Sequence, residues 1–331
     1  MLQSSLDFLT LLARHSIFTL VVAAFWDYII GDPRFLIHPV QIMGWFVQKY
    51  TEFTLNFSQQ KWQRRLSGII LGLVLIIGSG FIGWIVVKLA YDLNFWLGWV
   101  GEIIILASCF AGKSLSQAAK DVLRPLQAQN VIAARSQLSM YVGRDTDNLS
   151  TIEILRAVLE TVGENAVDGI TAPLFYAILG IWLGIGGVPL ALGYKAASTL
   201  DSTIGYLREP YTDIGWFSAQ LEDRLTWFPC RLTVLTLALF SGKPQQVLAI
   251  CRRDAIHDPS PNSGWSESVY AATLGVQLGG VNTYQGQITK KPLLGNPDKT
   301  ISAETIQKAL SLTRYCFLVW LTLSAIALNG K

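Results

Sequence analysis

The amino-acid sequence predicts an all-α integral membrane protein, a polytopic helical bundle with amphipathic cytoplasmic helices and a loop-rich cytosolic region. Of its 331 residues, 51% are hydrophobic and only 15% are charged, and the mean hydropathy is +0.38. These values lie outside the usual composition of soluble domains. Eleven Trp and eleven Tyr residues suit the interfacial belts of a membrane protein. We expect one polytopic domain over residues 1–331.

The strongest membrane-spanning signal is residues 69–87, an uncharged run of nineteen residues that is long enough to cross a bilayer. Shorter apolar segments are candidates for further spans or for burial in the bundle: residues 16–30, 100–111, 172–194, 228–240 and 315–328. No basic region or cleavage site precedes the first apolar run, so we expect that segment to remain as an anchor.

Basic residues give the expected orientation of these spans. Lys61, Arg64 and Arg65 precede the strongest span, and a second basic group follows the next apolar segment, beginning at Lys113. Lys and Arg resist translocation, so both groups should be cytoplasmic. They would be joined by a helical hairpin that turns near residues 92–99.

Two polar regions complete the expected architecture. Residues 115–138 carry Leu and Val at helical spacing and predict a surface helix pair that is broken near Pro125. Residues 243–311 are rich in Pro, Gly and Asn, which predicts the loop-rich cytosolic region, either a folded lobe or a set of active-site loops.

Composition also excludes several classes of partner and site. The net charge of +3 is small and scattered, so nucleic acid is not an expected partner. The cysteines lie far apart, without a CxxC pair or a neighbouring His, and they predict buried reduced thiols rather than a zinc site or a disulfide framework. They are Cys109, Cys230, Cys251 and Cys316.

An ionisable cluster occurs where the first apolar segment ends. Asp27 lies within the segment, and Asp32, Arg34 and His38 follow it directly. A charge inside a transmembrane helix costs a few kcal/mol, so it marks a candidate functional site. The alternative is that Asp27 meets the water interface and the following residues only end the helix.

The most informative stretch is an acidic helix. Ser150 followed by Glu153 is a capping box, which predicts a helix start. At 100° per residue, Glu153, Glu160, Glu164 and Asp168 fall within about 80° of one another. The core is expected on the opposite face, at Leu155, Val158, Leu159, Val162 and Ala166.

Like charges stacked along this helix require an explanation. A solvated outer face is the common one, but such faces usually alternate in sign, and repeated carboxylates at i,i+4 repel each other. A cation should therefore offset the repulsion. Glu160, Glu164 and Asp168 would suit Mg²⁺, which prefers oxygen ligands. Arg144 and Asp145 precede the helix in a loop that contains a glycine.

Further polar groups follow the apolar segment 172–194. Lys195 and Asp201 come first, with Lys195 suited to binding phosphate or to snorkelling. For them to share one side with the acidic helix, residues 172–194 must return as two short helices or line a cavity within the bilayer; we favour the re-entrant arrangement. A later loop contains five more polar residues, Arg253, His257, Ser260, Asn262 and Glu267.

One apparent nucleotide motif is set aside. Residues 107–114 read ASCFAGKS, with Ala in place of the first Gly of the phosphate-binding loop. That motif also needs a buried strand before it, whereas an apolar helical segment precedes it here.

Taken in order, these motifs resemble the adenosylcobinamide-phosphate synthase family of cobalamin biosynthesis (CobD/CbiB). The resemblance covers about residues 20–295 and is carried by GDPRFLIHPV, VGRDT, ETVGENAVDGITAPLFY, YKAASTLDSTIGY, LEDRLTWFPCRLT, RRDAIHDPSPNSGWSES, LGVQLGG and NTYQG. Two positions depart from the family pattern. Ser198 stands where Asn is expected, and Asp258 stands where His is expected directly before PSPN, which leaves the role of His257 open.

The resemblance implies an integral membrane enzyme that joins the free carboxyl of a corrinoid, adenosylcobyric acid, to the amine of (R)-1-aminopropan-2-ol O-phosphate, with ATP as co-substrate and Mg²⁺ as cofactor. Its active site would face the cytoplasm from the inner cell membrane. We expect the catalytic residues to be Asp32, Glu164, Asp168 and Asp201, and the metal ligands to be Glu160, Glu164 and Asp168. The expected substrate- and phosphate-binding residues are Arg34, His38, Arg144, Asp145, Lys195, Arg253, His257, Ser260 and Asn262.

Two other functions and the assembly state stay open. A membrane phosphoalcohol transferase has an Asp-Gly pair like Asp168–Gly169 in its signature. That signature also requires an Arg, where this chain has Ala172, and a later pair of acids, which this chain lacks. An ion-coupled transporter would use Asp27 and Asp201, although no repeated halves are visible. A homo-oligomer is compatible with the sequence.

Overall fold

The computed structural model describes residues 2–31, 38–206 and 208–329; for residues 2–15 and 329 it describes the backbone alone. The described chain is predominantly helical. Its helices in chain order are α1 Leu2–Ile29, α2 Pro39–Phe57, α3 Lys61–Leu93, α4 Phe95–Cys109, α5 Gly112–Gln127, α6 Val131–Leu138, α7 Thr151–Ala166, α8 Ala172–Trp182, α9 Gly187–Ile204, α10 Tyr211–Ile214, α11 Trp216–Phe240, α12 Pro244–Asp254, α13 Ser263–Leu274 and α14 Ala303–Asn329. Strands β1 Leu278–Tyr284 and β2 Gln287–Leu294 lie between α13 and α14.

The chain divides into two compact units, which the sequence did not predict. The first comprises Met1–Ala111, Ala172–Leu225 and Val319–Lys331, and the second comprises Gly112–Thr171 and Thr226–Leu318.

Helix α3 of the first unit contains the strongest predicted span and packs against α4 and α9. Two helices of the described chain, Lys61–Leu93 and Ala303–Leu328, are long and apolar enough to cross a membrane, and a third results if α4 and α5 are taken as one broken span. Residues 16–29 form a shorter apolar helical segment. The multi-pass prediction therefore has two to three candidate spans, judged by length and composition.

The predicted hairpin between the first two basic groups is confirmed. Helix α3 ends at Leu93, and Asn94 then begins α4. The Asn94 side chain accepts hydrogen bonds from the backbone N–H of Trp96 (2.8 Å) and Leu97 (3.3 Å). An Asn at this position satisfies amides that the new helix leaves without partners, so it both ends one helix and starts the next.

Residues 172–194 form two helices, as the glycine content predicted. Helices α8 and α9 pack against each other in a hairpin. The backbone N–H of Ile185 donates to the Gly180 carbonyl (3.1 Å). A Cβ on Gly180 would lie 2.2 Å from the Gly186 carbonyl oxygen, so this turn requires glycine. The depth of the hairpin in a bilayer stays a prediction.

In the second unit, residues 243–311 have more regular secondary structure than the predicted loop-rich region. It contains α12, α13, the antiparallel hairpin β1–β2 and the start of α14. The loop alternative was wrong because the glycines form a tight turn, at Gly286, and a bulge, between Leu278 and Gly280, within regular structure. Gln285 and Gly286 turn the hairpin with positive φ values of 52° and 77°, a geometry typical of two-residue hairpin turns. The all-α prediction therefore holds for the described chain except for this hairpin.

The predicted surface helix pair is present as α5 and α6. Helix α5 runs through Pro125 and ends at Gln127. The break follows Gln127 rather than Pro125, and Asn130 then caps α6 by accepting from the Ala133 N–H (2.9 Å). Pro125 has no backbone N–H, so the helix lacks one i→i−4 hydrogen bond there and ends within one turn.

Candidate functional site

Helix α7 begins as predicted and carries one of its acids into the core. The Ser150–Glu153 capping box is formed at its start. Glu160 is 2% exposed and pairs with Arg144, itself buried. The Gly279 N–H donates to the other Glu160 oxygen (2.9 Å). The expectation that a cation offsets the stacked charges is met here by a side chain of the protein, the Arg144 guanidinium.

The loop that carries Arg144 is anchored to the β-hairpin. Arg144 donates to Asn282 Oδ1 on β1 (3.0 Å). The Asp145 carboxylate accepts from the N–H groups of Gln285 (2.9 Å) and Gly286 (2.8 Å) at the hairpin turn, and its own N–H donates to the Thr283 carbonyl (2.8 Å). Asp145, predicted to bind substrate, thus holds the turn, and this fixes the position of Arg144.

A pocket of about 140 Å³ opens beside this ion pair. Its lining combines acids, cations and hydroxyl groups from α7, the loop before it and the hairpin: Tyr141, Val142, Gly143, Arg144, Glu160, Thr161, Glu164, Asn165, Tyr284 and Lys291. The structure therefore brings together three predicted site residues, Arg144, Glu160 and Glu164, with two that were not predicted, Tyr284 and Lys291.

A buried acid lies behind the pocket. Glu267 on α13 is 0% exposed, and one of its oxygens accepts from the Lys291 ammonium (3.4 Å). Its other oxygen, Oε2, has no hydrogen-bond partner in the described part of the chain. Burial raises the pKa of Glu267 to about 8, opposed by Lys291 and reinforced by nearby Glu160, Glu164 and Asp258.

The pKa of Lys291 is raised as well, but here burial opposes the shift and the neighbouring carboxylates cause it. Burial lowers its pKa, but Glu267, Glu164, Glu160 and Asp258 outweigh burial and hold it above the usual value. Its ammonium therefore stays charged beside the pocket. The sequence places Glu267 in a polar stretch without indicating a role, and Lys291 gives no signal because Lys290 and Lys291 form a basic pair typical of a solvated loop.

The predicted three-carboxylate magnesium site is not formed. The described residues contain no group of three or more His, Cys, Asp or Glu that could hold a metal ion. Both Glu160 oxygens are already engaged, by Arg144 and Gly279. Asp168 lies in a π-helical turn, Val167–Thr171, whose i→i+5 winding departs from the 100° per residue assumed by the prediction. Glu160, Glu164 and Asp168 together therefore do not form a ligand set for Mg²⁺.

The polar residues from the end of α12 onwards are held by hydrogen bonds to other groups of the protein. Exposed Arg253 pairs with Asp254 (2.6 Å) and donates to Asn296 (3.0 Å). Burial raises the pKa of Asp254, but Arg253 and the Gly295 N–H outweigh it, and the net pKa is lowered. Ser260 accepts from the N–H of Asn262 and Ser263 (both 3.2 Å), which assigns it a turn role.

Two more predicted residues of this segment differ in exposure. His257 is exposed on the short 3-10 turn Ala255–His257. Asn262 is buried and accepts from Arg231 (3.5 Å). Arg231 also stacks over Trp265 at 4.5 Å, so Asn262 is part of a packed cluster.

The remaining predicted residues belong to the first unit or lie outside the described residues. His38 caps α2, where its Nδ1 accepts from the Val40 N–H (3.2 Å). Lys195 and Asp201 are half-buried on α9. Asp32 and Arg34 fall outside the described residues, so their predicted roles remain predictions.

The comparisons with known proteins agree with the order of these motifs. Residues 20–313 match the family model described as CobD/Cbib protein. The chain belongs to the CobD/CbiB family. It is 54% identical to "Cobalamin biosynthesis protein CobD" of Synechocystis sp., over 89% of this chain and 87% of that protein. It is 41% identical to the protein of the same name from Halalkalibacterium halodurans, over 92% and 95%.

A third relative carries the other family name. The chain is 39% identical to "Cobalamin biosynthesis protein CbiB" of Salmonella arizonae, over 86% of this chain and 89% of the relative. No solved structure matches the chain. The family match includes every lining residue of the pocket beside Glu160.

Proposed function

We propose that this CobD/CbiB family member acts in cobalamin biosynthesis as an adenosylcobinamide-phosphate synthase. It would join the free carboxyl of adenosylcobyric acid to the amine of (R)-1-aminopropan-2-ol O-phosphate, with hydrolysis of ATP. The observation that carries the proposal is the family match over residues 20–313, which spans the charged pocket of the second unit.

The reaction requires activation because a carboxylate is inert towards amines at neutral pH. In the proposed sequence, the corrinoid carboxylate takes the terminal phosphoryl group of ATP, giving an acyl phosphate and ADP. The neutral amine then attacks the carbonyl carbon, phosphate leaves, and one amine proton is released. Fixed cations and dipoles of the protein stabilise the charge that develops on phosphate and carbonyl oxygens.

The cofactor and the cellular setting are part of the proposal. ATP and Mg²⁺ enter it through the family resemblance, and no step is assigned to the ion because the carboxylates of α7 do not form a ligand set. We place the protein in the inner cell membrane with its active site towards the cytoplasm. The basic residues around α3 support this orientation.

Membranes that contain the protein test the proposal directly. They are supplied with adenosylcobyric acid, aminopropanol phosphate, ATP and Mg²⁺, and the amide product is followed by mass together with ADP. We expect one ADP per amide, and no product in membranes lacking the protein. Folded protein that gives no amide would contradict the proposal. Uptake of substrate into sealed vesicles without amide formation would support a transporter instead.

A further inference from the structure

We propose that the pocket beside the Arg144–Glu160 pair binds a small molecule that carries both an ammonium and a phosphate group. In this arrangement Lys291 binds the phosphate, Glu164 receives the ammonium, and Glu267 positions Lys291. The inference rests on the proposed function and deepens it, because it assigns this pocket to the amine phosphate rather than to the corrinoid or the nucleotide.

The size of the pocket supports a small ligand. Its volume is about 140 Å³, whereas pockets for drug-sized molecules typically measure about 300–1,000 Å³. A nucleoside triphosphate is itself a molecule of drug size and a corrinoid is larger, so neither fits a pocket of about 140 Å³. Among the three proposed substrates, only the amine phosphate matches a pocket of this size.

The charged side chains that line the pocket are of two kinds: some are paired within the protein, and others are available to bind a ligand. Arg144 and Glu160 are buried and satisfy each other. Glu164 is exposed, and its carboxylate has no hydrogen bond within the described residues; the same is true of the Tyr284 hydroxyl. The Lys291 ammonium, with three donors, has one acceptor in the described chain, Glu267. The available groups are therefore an anion, a cation and a hydroxyl in one pocket, which is the complement of a zwitterion.

Glu267 explains why Lys291 is held at the pocket. Its carboxylate is fully buried and does not line the pocket, so it acts through Lys291. The next residue along β2, Lys290, is exposed, since successive side chains of a strand point to opposite faces. The two lysines thus differ in placement although they are adjacent, and Lys290 supplies a matched control.

Binding can be measured on the full-length protein in detergent by calorimetry, without ATP or corrinoid. The probe is 1-aminopropan-2-ol O-phosphate, compared with 1-aminopropan-2-ol and with propan-2-yl phosphate. We expect 1-aminopropan-2-ol, which lacks the phosphate, and propan-2-yl phosphate, which lacks the ammonium, to bind roughly tenfold to hundredfold more weakly than the zwitterion. Equal binding of the zwitterion and propan-2-yl phosphate would overturn the role of Glu164.

Variants test the individual residues. K291M and E164Q should weaken binding of the zwitterion roughly tenfold or more, whereas K290M and E304Q, both at exposed positions, should leave it unchanged. K291M leaves Glu267 without its partner, so the double variant K291M/E267Q serves as a control for folding. Binding that stays weak in the double variant supports the proposal, and restored binding would show that Lys291 is only structural.

The outcome can be separated from that of the proposed function. If the amide forms but K291M and E164Q behave like K290M, the pocket assignment falls while the synthase proposal stands. If the zwitterion binds as expected and no amide forms, the synthase proposal falls while the pocket assignment stands.

Discussion

The Arg144–Glu160 pair illustrates how single residues stabilise the second unit. Both side chains are buried, at 9% and 2% exposure, and Arg144 also donates to Asn282. A buried pair contributes little relative to apolar residues, but breaking it leaves an uncompensated charge. The arrangement is therefore sensitive to loss of one partner and tolerant of loss of both.

This sensitivity gives the first prediction. R144M should lower the free energy of unfolding by about 3–5 kcal/mol, because Glu160 stays buried without its cation. The double variant R144M/E160M should recover much of that loss. Chemical unfolding in detergent measures both, and an R144M protein as stable as the wild type would contradict the buried pairing.

Glu267 gives a pH-dependent prediction at the same scale. Burial raises the pKa of Glu267 from 4.5 to about 8 on folding. The Lys291 ammonium opposes this shift, and the nearby carboxylates of Glu160, Glu164 and Asp258 add to it. Between these two values the folded state holds a proton that the unfolded state releases, so this group's contribution to stability is present below pH 4.5 and is lost as the pH rises towards 8.

The measurement compares wild type with E267Q across that window. The amide of E267Q does not titrate, so the difference in melting temperature between the two proteins should move in favour of E267Q as the pH increases from about 4.5 to 8. A difference that is constant with pH would show that Glu267 is not a protonated buried acid.

At the scale of elements, glycines decide how closely helices approach α3. A Cβ on Gly80 would lie 2.7 Å from the Pro189 carbonyl oxygen of α9, whereas a Cβ on Gly78 meets nothing within 4 Å. Both lie in the same helix, so their helix propensities are comparable. They differ in packing alone.

Replacing each glycine with Ala should therefore change the stability of the protein in opposite directions. G80A should destabilise the protein by about 1–3 kcal/mol because the backbone of α9 must shift, while G78A should stabilise it by up to about 1 kcal/mol through helix propensity. Thermal unfolding of the two variants checks both signs. Similar melting temperatures would contradict the close contact between α3 and α9.

The β-hairpin is a second element whose position depends on one side chain. The Asp145 carboxylate accepts two N–H groups of the turn, at 2.9 and 2.8 Å. D145A should free the turn and loosen the loop that carries Arg144. We expect faster hydrogen exchange at Gln285 and Gly286 in D145A, with D147A, in the same loop, as control. Unchanged exchange would contradict the anchoring role.

At the scale of the whole molecule, the orientation of α3 is testable. At 1.5 Å per residue, the 33 residues of Lys61–Leu93 extend about 50 Å, more than the roughly 30 Å of a bilayer core. Its two ends should therefore lie on opposite sides of the membrane, with Lys61 in the cytoplasm.

Cysteine labelling of intact cells tests this orientation. D92C should react with a membrane-impermeant maleimide from outside the inner membrane, whereas K61C should react only after that membrane is opened. Both positions are exposed, and the native Cys109, Cys230, Cys251 and Cys316 are buried, so background labelling should be low. The reverse pattern would invert the proposed topology of α3.

Local features of the fold could be predicted because they depend on residues close in sequence. The capping box at Ser150, the turn at Asn94 and the break within 172–194 all follow from short-range chemistry, and the structure contains each of them. The β-hairpin was missed because its turn residues, Gln285 and Gly286, lie in a stretch that resembles a loop.

The sequence by itself determined the helical character, the main apolar span, the start of the acidic helix and the motifs that carry the family. Only the tertiary structure decided the partners of the acids: Glu160 meets Arg144 and Gly279, and Glu267 meets Lys291. The helical period gives the angle of a side chain on its own helix, but not which distant segment covers that face. Arg144 and Gly279 lie 16 and 119 residues from Glu160, on segments outside α7, so the sequence could indicate that a cation offsets the acidic face but not which group supplies it.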